Sequence, residues 1–226
     1  MHTSPSVQPG GSPPVRTFKA RRGRLGAASS SALQRLGHLQ VPVDGSRLDL
    51  PRVFGRSAPV VLEIGCGDGE ATAALAAADP RRDVLAVDVH TPGLGALLRR
   101  AEAAGLTNVR VADGDALVVL RDMLAPASLD EVRVLFPDPW PKPRHHKRRL
   151  VTPAFADLVA SRLAPGGRLH VATDWAHYAR QVLDVVASAG DLDGGAVPRP
   201  SRPATRFERR ALLAGRPVVD VVAVRR

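Results

Sequence analysis

The sequence predicts an α/β fold built on a doubly wound, mostly parallel sheet that ends with an antiparallel strand. Two observations carry this prediction: five short apolar segments alternate with segments of helical periodicity, and a glycine-rich turn follows the first apolar segment. Short buried strands that alternate with helices are typical of parallel sheets covered by helices. The five predicted strands are residues 60–64, 84–89, 109–112, 132–136 and 169–173.

Helices are predicted after each of these strands. They are residues 71–78, 94–104, 116–124, 153–163 and 175–189. Pro153 suits the first turn of its helix, where no backbone N–H is needed. Residues 190–216 are rich in Gly, Pro and Arg and are predicted to form a long connection. Residues 217–226 resemble a strand with no helix before it, and such a strand would be antiparallel.

Length and composition fit one α/β domain. The chain has 226 residues, of which 44% are hydrophobic, enough for a substantial core. We expect residues 1–30 to form a basic, Pro/Gly/Ser-rich and partly disordered extension, and residues 31–226 to form the domain. No apolar run approaches the roughly 20 residues that cross a bilayer. The single cysteine, Cys66, cannot form an internal disulfide, so a cytoplasmic protein without a membrane segment is predicted.

Positive charge is concentrated in parts of the chain. The net charge is +10, and residues 135–149 hold five basic residues and a single acid. A bias toward Arg explains the choice of Arg over Lys, but it does not explain the clustering. Clustered cations favour a polyanion, so the sequence predicts a nucleic acid partner. Nothing in the sequence indicates an oligomeric state.

The turn after the first strand, residues 63–69, reads EIGCGDG. Its three glycines permit a sharp turn and let a ligand approach the backbone closely. A dinucleotide-binding turn would carry another glycine where this chain has Glu70. The acids of this turn would repel a pyrophosphate, whereas S-adenosylmethionine carries positive charges and no phosphate.

Two further acids follow the second and third strands. Asp88 can accept hydrogen bonds from both hydroxyls of a ribose, and Asp115 can accept one from the amino group of an adenine. Each acid alone also suits a helix cap, but the ordered set favours S-adenosylmethionine over a nicotinamide cofactor. The predicted cofactor-binding residues are Glu63, Gly65, Gly67, Gly69, Asp88 and Asp115.

A stiff acidic segment follows the fourth strand, where residues 136–140 read FPDPW. Prolines on both sides of Asp138 restrict the backbone, and this edge of the sheet is where α/β folds bind ligands. A turn with a solvated aspartate is the alternative that the pattern leaves open. His145 and His146 have no cysteine nearby and do not indicate a metal site. The basic residues predicted to hold phosphates are Lys142, Arg144, Lys147, Arg148 and Arg149.

These motifs resemble those of the bacterial tRNA (guanine-N7-)-methyltransferases, which are class I S-adenosylmethionine-dependent enzymes. The resemblance runs from about residue 16 to the C-terminus. Its motifs are RTFKARRGRL (16–25), EIGCGDG (63–69), VDVHTPGLG (87–95), FPDPWPKPRHHKRR (136–149), ATDW (172–175) and PRPSRPATRFERR (198–210). The chain departs from the family pattern at Asp88, where the family has Glu, and at Pro141, Pro143 and His146.

The resemblance implies a Rossmann-like fold and methylation of N7 of a guanine in the tRNA variable loop, at position 46 in tRNA numbering. It implies cofactor contacts for Glu63, Asp88 and Asp115, and a catalytic role for Asp138. The substrate-binding residues that it implies are Lys142, Asp174, Thr205, Arg206, Phe207 and Glu208.

Two other functions compete with this interpretation. One is an amino-methyltransferase acting on adenine or protein, although such enzymes end the fourth strand with Asp-Pro-Pro-aromatic and not with Pro-Asp-Pro-Trp. The other is a non-catalytic tRNA-binding subunit. The intact glycines, Asp88, Asp115 and Asp138 argue against the second.

Overall fold

A computed structural model describes residues 17–18 and 24–226 of the chain. Its strands are β1 (Val60–Ile64), β2 (Asp83–Asp88), β3 (Val109–Asp113), β4 (Leu129–Leu135), β5 (Leu163–Thr173), β6 (Leu192–Val197) and β7 (Val219–Arg225). They form one sheet in the order β3-β2-β1-β4-β5-β7-β6. Strands β1 to β5 are parallel, and β7 is antiparallel to both β5 and β6. The predicted sheet with an antiparallel final strand is confirmed.

Helices cover the sheet. They are α1 (Ala27–Arg35), α2 (Leu50–Phe54), α3 (Glu70–Ala78), α4 (Thr91–Ala103), α5 (Ala116–Val118), α6 (Pro153–Arg162), α7 (Ala176–Ser188) and α8 (Arg206–Leu213). Because side chains alternate along a strand, Val61 of β1 belongs to the apolar cluster that contains residues of α1, α3 and α4. Its neighbour Leu62 belongs to the cluster that contains residues of α2, α6 and α7. The predicted helix at 116–124 is α-helical only at its start and continues as a π-helix over Val119–Met123.

The prediction of a long connection over residues 190–216 was wrong in one respect, because this segment contains strand β6 and helix α8. A Cβ at Gly194 would overlap the carbonyl oxygen of Val222 on β7, so a glycine is needed where the pattern suggested a loop. Helix α8 buries only Glu208 and Ala211. It is short and stands in a stretch rich in Gly, Pro and Arg, so the sequence pattern did not mark it as a separate element, and the last strand does follow a helix.

Most of the predicted N-terminal extension lies outside the described residues, which omit 1–16 and 19–23. Helix α1 crosses residue 30 and packs closely on α4, where a Cβ at Gly95 would overlap Ser29. The boundary between extension and domain stays a prediction. None of the helices in the described part is long and apolar enough to cross a membrane.

A buried ion network lies on one face of β4 and β5. Glu131 is 1% exposed, and its carboxylate accepts hydrogen bonds from Arg82 at 2.7 Å, Arg133 at 2.6 Å and Arg168 at 2.9 Å. Burial alone would raise the pKa of Glu131. The hydrogen bond and charge of Arg133, with help from Arg168 and Arg82, outweigh burial and lower this pKa to about 2.

The network makes Glu131→Gln a test of stability against pH. The pKa in the folded state lies below its unfolded value, so the charged form stabilises the fold above the unfolded pKa of 4.5, and this contribution is lost as pH falls toward about 2. We expect the variant to lose roughly 3–5 kcal/mol of unfolding free energy at pH 7, because it leaves the largely buried Arg82 and Arg133 without their carboxylate partner. Denaturant melts across this pH range measure the difference, which should shrink with acidification. A stability difference between parent and variant that does not change with pH would contradict the lowered pKa of Glu131.

Candidate functional site

The carboxyl ends of the parallel strands meet around one cavity. It encloses about 880 Å³, including space open to solvent. Its walls come from the turn after β1, the end of β2, the turn after β3, the segment after β4 and helix α8. The polar and aromatic residues that line it are Thr17, Phe18, Asp88, His90, Asp115, Phe136, Asp138 and Phe207.

The glycine turn forms one wall. Gly65 and Gly67 have φ values of 81° and 60°, and a Cβ on either would stand in open space, so these glycines leave room for a ligand against the backbone. Gly69 is the N-cap of α3 with φ 72°, and a Cβ there would overlap Leu97 of α4. The first two glycines therefore line the cavity, whereas the third allows close packing between the turn and α4.

Asp88 and Asp115 each use part of their hydrogen-bonding capacity within the protein. Asp88 accepts from the backbone N–H of Gly67 at 3.0 Å and from that of His90 at 2.9 Å, and so it shapes the glycine turn. Asp115 accepts from Leu117 N–H at 2.9 Å and caps α5. Because a carboxylate has about four acceptor sites, both acids keep capacity for a ligand in the cavity.

Glu63 has an acceptor atom that fits a cationic group. Its Oε1 accepts from Thr72 Oγ1 at 2.9 Å, whereas its Oε2 is buried without a hydrogen-bond partner among the described residues. Burial raises the pKa of Glu63, against the lowering effects of Arg133 and Thr72. Glu63 lines a second cavity that shares Gly65, Gly67 and Phe207 with the first. A ligand ammonium bound there would satisfy the orphaned oxygen, so the residues present fit the predicted S-adenosylmethionine.

The segment after β4 holds Asp138 in a strained backbone. Phe136 and Trp140, on either side of Pro-Asp-Pro, have φ values of 57° and 44°, a region that costs non-glycine residues roughly 1–3 kcal/mol each. Phe136 N–H donates to the carbonyl of Ala172 on β5 at 2.8 Å, and the Phe136 ring stacks on Phe207 of α8 at 6.5 Å. Asp138 is therefore held on the cavity wall by a segment that its surroundings force into shape.

Arg149 is the residue whose position departs most from expectation. It is fully buried and donates to the carbonyl of Pro139 at 2.9 Å and to Gln181 Oε1 at 2.7 Å. Its guanidinium also contacts His177 Nδ1 at 3.0 Å and lies 4.9 Å from the centre of the Tyr178 ring. Arg149 thus joins the Asp138 segment to helix α7 and is not accessible to a phosphate in this structure, which corrects the prediction made for it.

The other four basic residues of this stretch are exposed. Lys142, Arg144, Lys147 and Arg148 lie in or beside a 3₁₀ helix over Pro143–Arg148. Arg148 lies over the Trp140 ring at 4.9 Å, next to the Asp138 segment. Partial burial, followed by the charges of Arg144 and Arg148, lowers the pKa of His145. These side chains therefore form a dense positive surface beside the cavity.

The four residues of the T-R-F-E motif lie at the start of helix α8 but have different surroundings. Thr205 caps the helix by accepting from Glu208 N–H at 3.1 Å, while Arg206 and Phe207 face the second cavity. Glu208 is 1% exposed and accepts from Arg199 at 2.6 Å and Arg202 at 2.5 Å. Its carboxylate therefore holds the preceding loop, and the predicted contact with substrate is not available to it here.

Asp174 directly follows β5. Its Oδ2 accepts from Arg216 Nε at 2.8 Å, and its side chain is 23% exposed. Asp174 lines an open concavity with Phe207 and Arg216. It is therefore reachable, but already paired with one arginine.

Among the cavity-lining residues that sequence reasoning did not assign to the site are Thr17, Phe18, His90 and Leu150. Thr17 also accepts a hydrogen bond from the Trp140 indole N–H at 3.3 Å, so the N-terminal segment reaches the Asp138 segment. Thr17, Phe18 and His90 fall inside motifs that carry the family resemblance, and those motifs are the sequence signal that could have identified them. Among residues 17–18 and 24–226, no group of three His, Cys, Asp or Glu side chains could hold a metal ion.

Comparisons with known proteins agree with this geometry. The model of a family described as "Putative methyltransferase" matches residues 57–221. The chain is 54% identical to the tRNA (guanine-N(7)-)-methyltransferase of Streptomyces avermitilis over 92% of its own length and 74% of that protein. It is 51% identical to the enzyme of the same name from Nitrosospira multiformis over 92% and 93%. An rRNA methylase from Streptococcus thermophilus shares the fold, with a TM-score of 0.53 and 16% identity over 85% and 94% of the two chains.

Proposed function

This chain belongs to the tRNA (guanine-N7-)-methyltransferase family, and we propose that the guanine whose N7 it methylates lies in the tRNA variable loop, at position 46. S-adenosylmethionine is the methyl donor of this family. Position 46 follows from the family resemblance of the motifs, and methyl transfer at this site is supported by Asp138 lining the same cavity as Gly65, Gly67, Asp88 and Asp115. We also propose that the protein acts in the cytoplasm.

The cofactor roles follow from the chemistry of each acid. Glu63 Oε2 would accept from the ammonium group, and Asp88 would accept from the ribose hydroxyls with the acceptor sites that Gly67 and His90 leave. Asp115 would accept from the adenine amino group. Bound at these residues, S-adenosylmethionine supplies an electrophilic methyl group.

Asp138 would act on the guanine. Guanine N7 has a lone pair and no proton, so no general base is needed, and alignment of N7 with the methyl carbon supplies much of the catalysis. When N7 bonds to the methyl carbon, the electron pair of the broken carbon–sulfur bond would stay on sulfur, and the purine would become positively charged. A fixed carboxylate stabilises this charge. It also accepts from guanine N1–H and N2–H, which adenine cannot offer.

Phosphate binding falls to the exposed basic residues beside the cavity. Lys142, Arg144, Lys147 and Arg148 would bind phosphates on either side of the target nucleotide. Phe136 and Phe207, stacked at 6.5 Å, line the cavity where an unstacked base would enter.

The test uses purified protein, labelled S-adenosylmethionine and one tRNA transcript, followed by nucleoside analysis. The expected product is N7-methylguanosine, and the same transcript with adenine at position 46 should give none. Methylation of another base would overturn the assignment of the guanine, and methylation that survives the position 46 change would overturn the assignment of the loop. Cofactor binding without any methyl transfer would favour a non-catalytic subunit.

The double variant Lys147→Ala and Arg148→Ala tests the phosphate contacts. We expect tRNA affinity to fall and the slope of log Kd against log salt to flatten by roughly two, because two cations are lost. S-adenosylmethionine affinity should not change. Fluorescence anisotropy of labelled tRNA in a salt series measures both quantities. An unaltered slope would show that neither cation meets a phosphate.

A further inference from the structure

The C-terminal half of helix α8 exposes an apolar and basic surface that the proposed methyl transfer does not use. Leu213 is 89% exposed and Leu212 60%. Arg210 and Arg216 flank them, and within the described part of the chain Arg210 has no salt-bridge partner. We name Arg210, Leu212, Leu213 and Arg216 the α8 ledge.

The α8 ledge adjoins the candidate site. Arg210, Leu213 and Arg216 surround an open concavity together with Asp174 and Phe207, and Phe207 also lines the cavity that contains Asp138. Two large leucines left in water at the end of a helix lose the free energy that burial would give them. Exposed apolar groups rimmed by polar residues are typical of a binding surface.

We propose that the α8 ledge is a second contact surface for the RNA substrate: Leu213 packs against the face of the base next to the target guanine, and Arg210 and Arg216 bind the adjoining phosphates. This inference rests on the proposed function. A base that leaves its stack to reach an active site exposes the face of its neighbour. Leucine side chains of nucleic-acid-binding proteins cover such faces, and arginines bind the backbone beside them.

Charge decides between RNA and a second copy of this chain as the occupant. Arg206, Arg210 and Arg216 are all exposed in or just after α8. Arg216 pairs with Asp174 through Nε at 2.8 Å, and the chain as a whole carries a net charge of +10. Two copies meeting at the ledge would bring like charges together, whereas phosphates would neutralise them. RNA is therefore the occupant that the surface fits.

Single substitutions separate the apolar and the ionic parts of the ledge. Leu213→Ser should weaken the binding of a tRNA transcript roughly three- to tenfold without changing the salt slope, because no charge is lost. Arg210→Ala should weaken binding and flatten the slope by roughly one. Both variants should keep the S-adenosylmethionine affinity and melting temperature of the parent, since these side chains are exposed.

Matched controls lie at the opposite end of the sheet. Val224 is 42% exposed near the end of β7, where it pairs with Arg168 of β5, and the Arg81 side chain is 90% exposed before β2. Val224→Ser and Arg81→Ala should leave tRNA affinity unchanged. Parental binding by Leu213→Ser and Arg210→Ala would overturn the proposal, as would a Leu213→Ser effect on self-association alone in sedimentation.

The proposed function and the role of the α8 ledge can fail separately. If the parent protein makes no N7-methylguanosine in tRNA, the proposed function fails first. If the parent makes it and the ledge variants bind tRNA and turn over as the parent does, only the ledge proposal fails.

Discussion

Asp138→Asn is expected to lower the single-turnover rate of tRNA methylation roughly 10²- to 10³-fold, the usual cost of losing one preorganised electrostatic contact. The substitution keeps the shape of the side chain but removes the negative charge that stabilises the methylated purine. It also presents an amide N–H₂ where guanine offers donors of its own. The affinity for S-adenosylmethionine should change little, because the cofactor contacts belong to other residues.

The thermal melt of Asp138→Asn should stay close to that of the parent, since Asp138 is only partly buried on the cavity wall. Asp157→Asn removes a comparable charge from the exposed face of α6 and should leave the rate unchanged. A near-parental rate for Asp138→Asn, with an intact melt, would show that Asp138 is a turn residue without a catalytic role.

Arg149→Ala is expected to reduce turnover at saturating tRNA by at least about tenfold and to lower the free energy of unfolding by roughly 2–4 kcal/mol. The variant loses the hydrogen bonds to Pro139 and Gln181, which hold the Asp138 segment against α7. Phe136 and Trp140 carry strained backbones in that segment, so it should relax when the bonds are lost. The affinity for S-adenosylmethionine should be retained.

Arg149→Lys distinguishes holding the segment from binding a phosphate. A lysine keeps the charge, which suffices for a phosphate contact, but it lacks the planar fork that reaches Pro139, His177 and Gln181 together. We expect turnover to stay low in Arg149→Lys and the salt slope of tRNA binding to match the parent. Recovery of activity by lysine, or a slope flattened by Arg149→Ala, would restore the phosphate role. Arg148→Ala removes an exposed neighbouring charge and serves as the contrast, because it should flatten the salt slope of tRNA binding.

Local patterns predicted much of the candidate site. Gly65 and Gly67 were identified because a strand followed by closely spaced glycines indicates a ligand-binding turn, and the structure places both on the cavity wall. Asp88, Asp115 and Asp138 were identified because parallel strands bring their carboxyl ends to one edge. The functional roles of these residues remain predictions.

Other parts of the site depended on residues that are distant along the chain. Glu208 was expected at the substrate, but Arg199 and Arg202 enclose it once the loop before α8 folds back. Thr17 and Phe18 reach the cavity although they precede its other residues by more than forty positions. Helix α8 itself has only eight residues and buries a glutamate and an alanine, so it did not stand out within a stretch rich in Gly, Pro and Arg.

By itself, the sequence determined the alternation of strands and helices, the glycine turn and the order of acids along the sheet edge, because each depends on neighbouring residues or on the direction of parallel strands. Only the tertiary structure decided which member of a charged run meets solvent. Arg148 and Arg149 are adjacent and alike, yet Arg148 is exposed while Arg149 is enclosed by Tyr178 and Gln181 of α7. Burial is set by packing between distant elements, and so a run of bases in the sequence does not reveal which one is held inside.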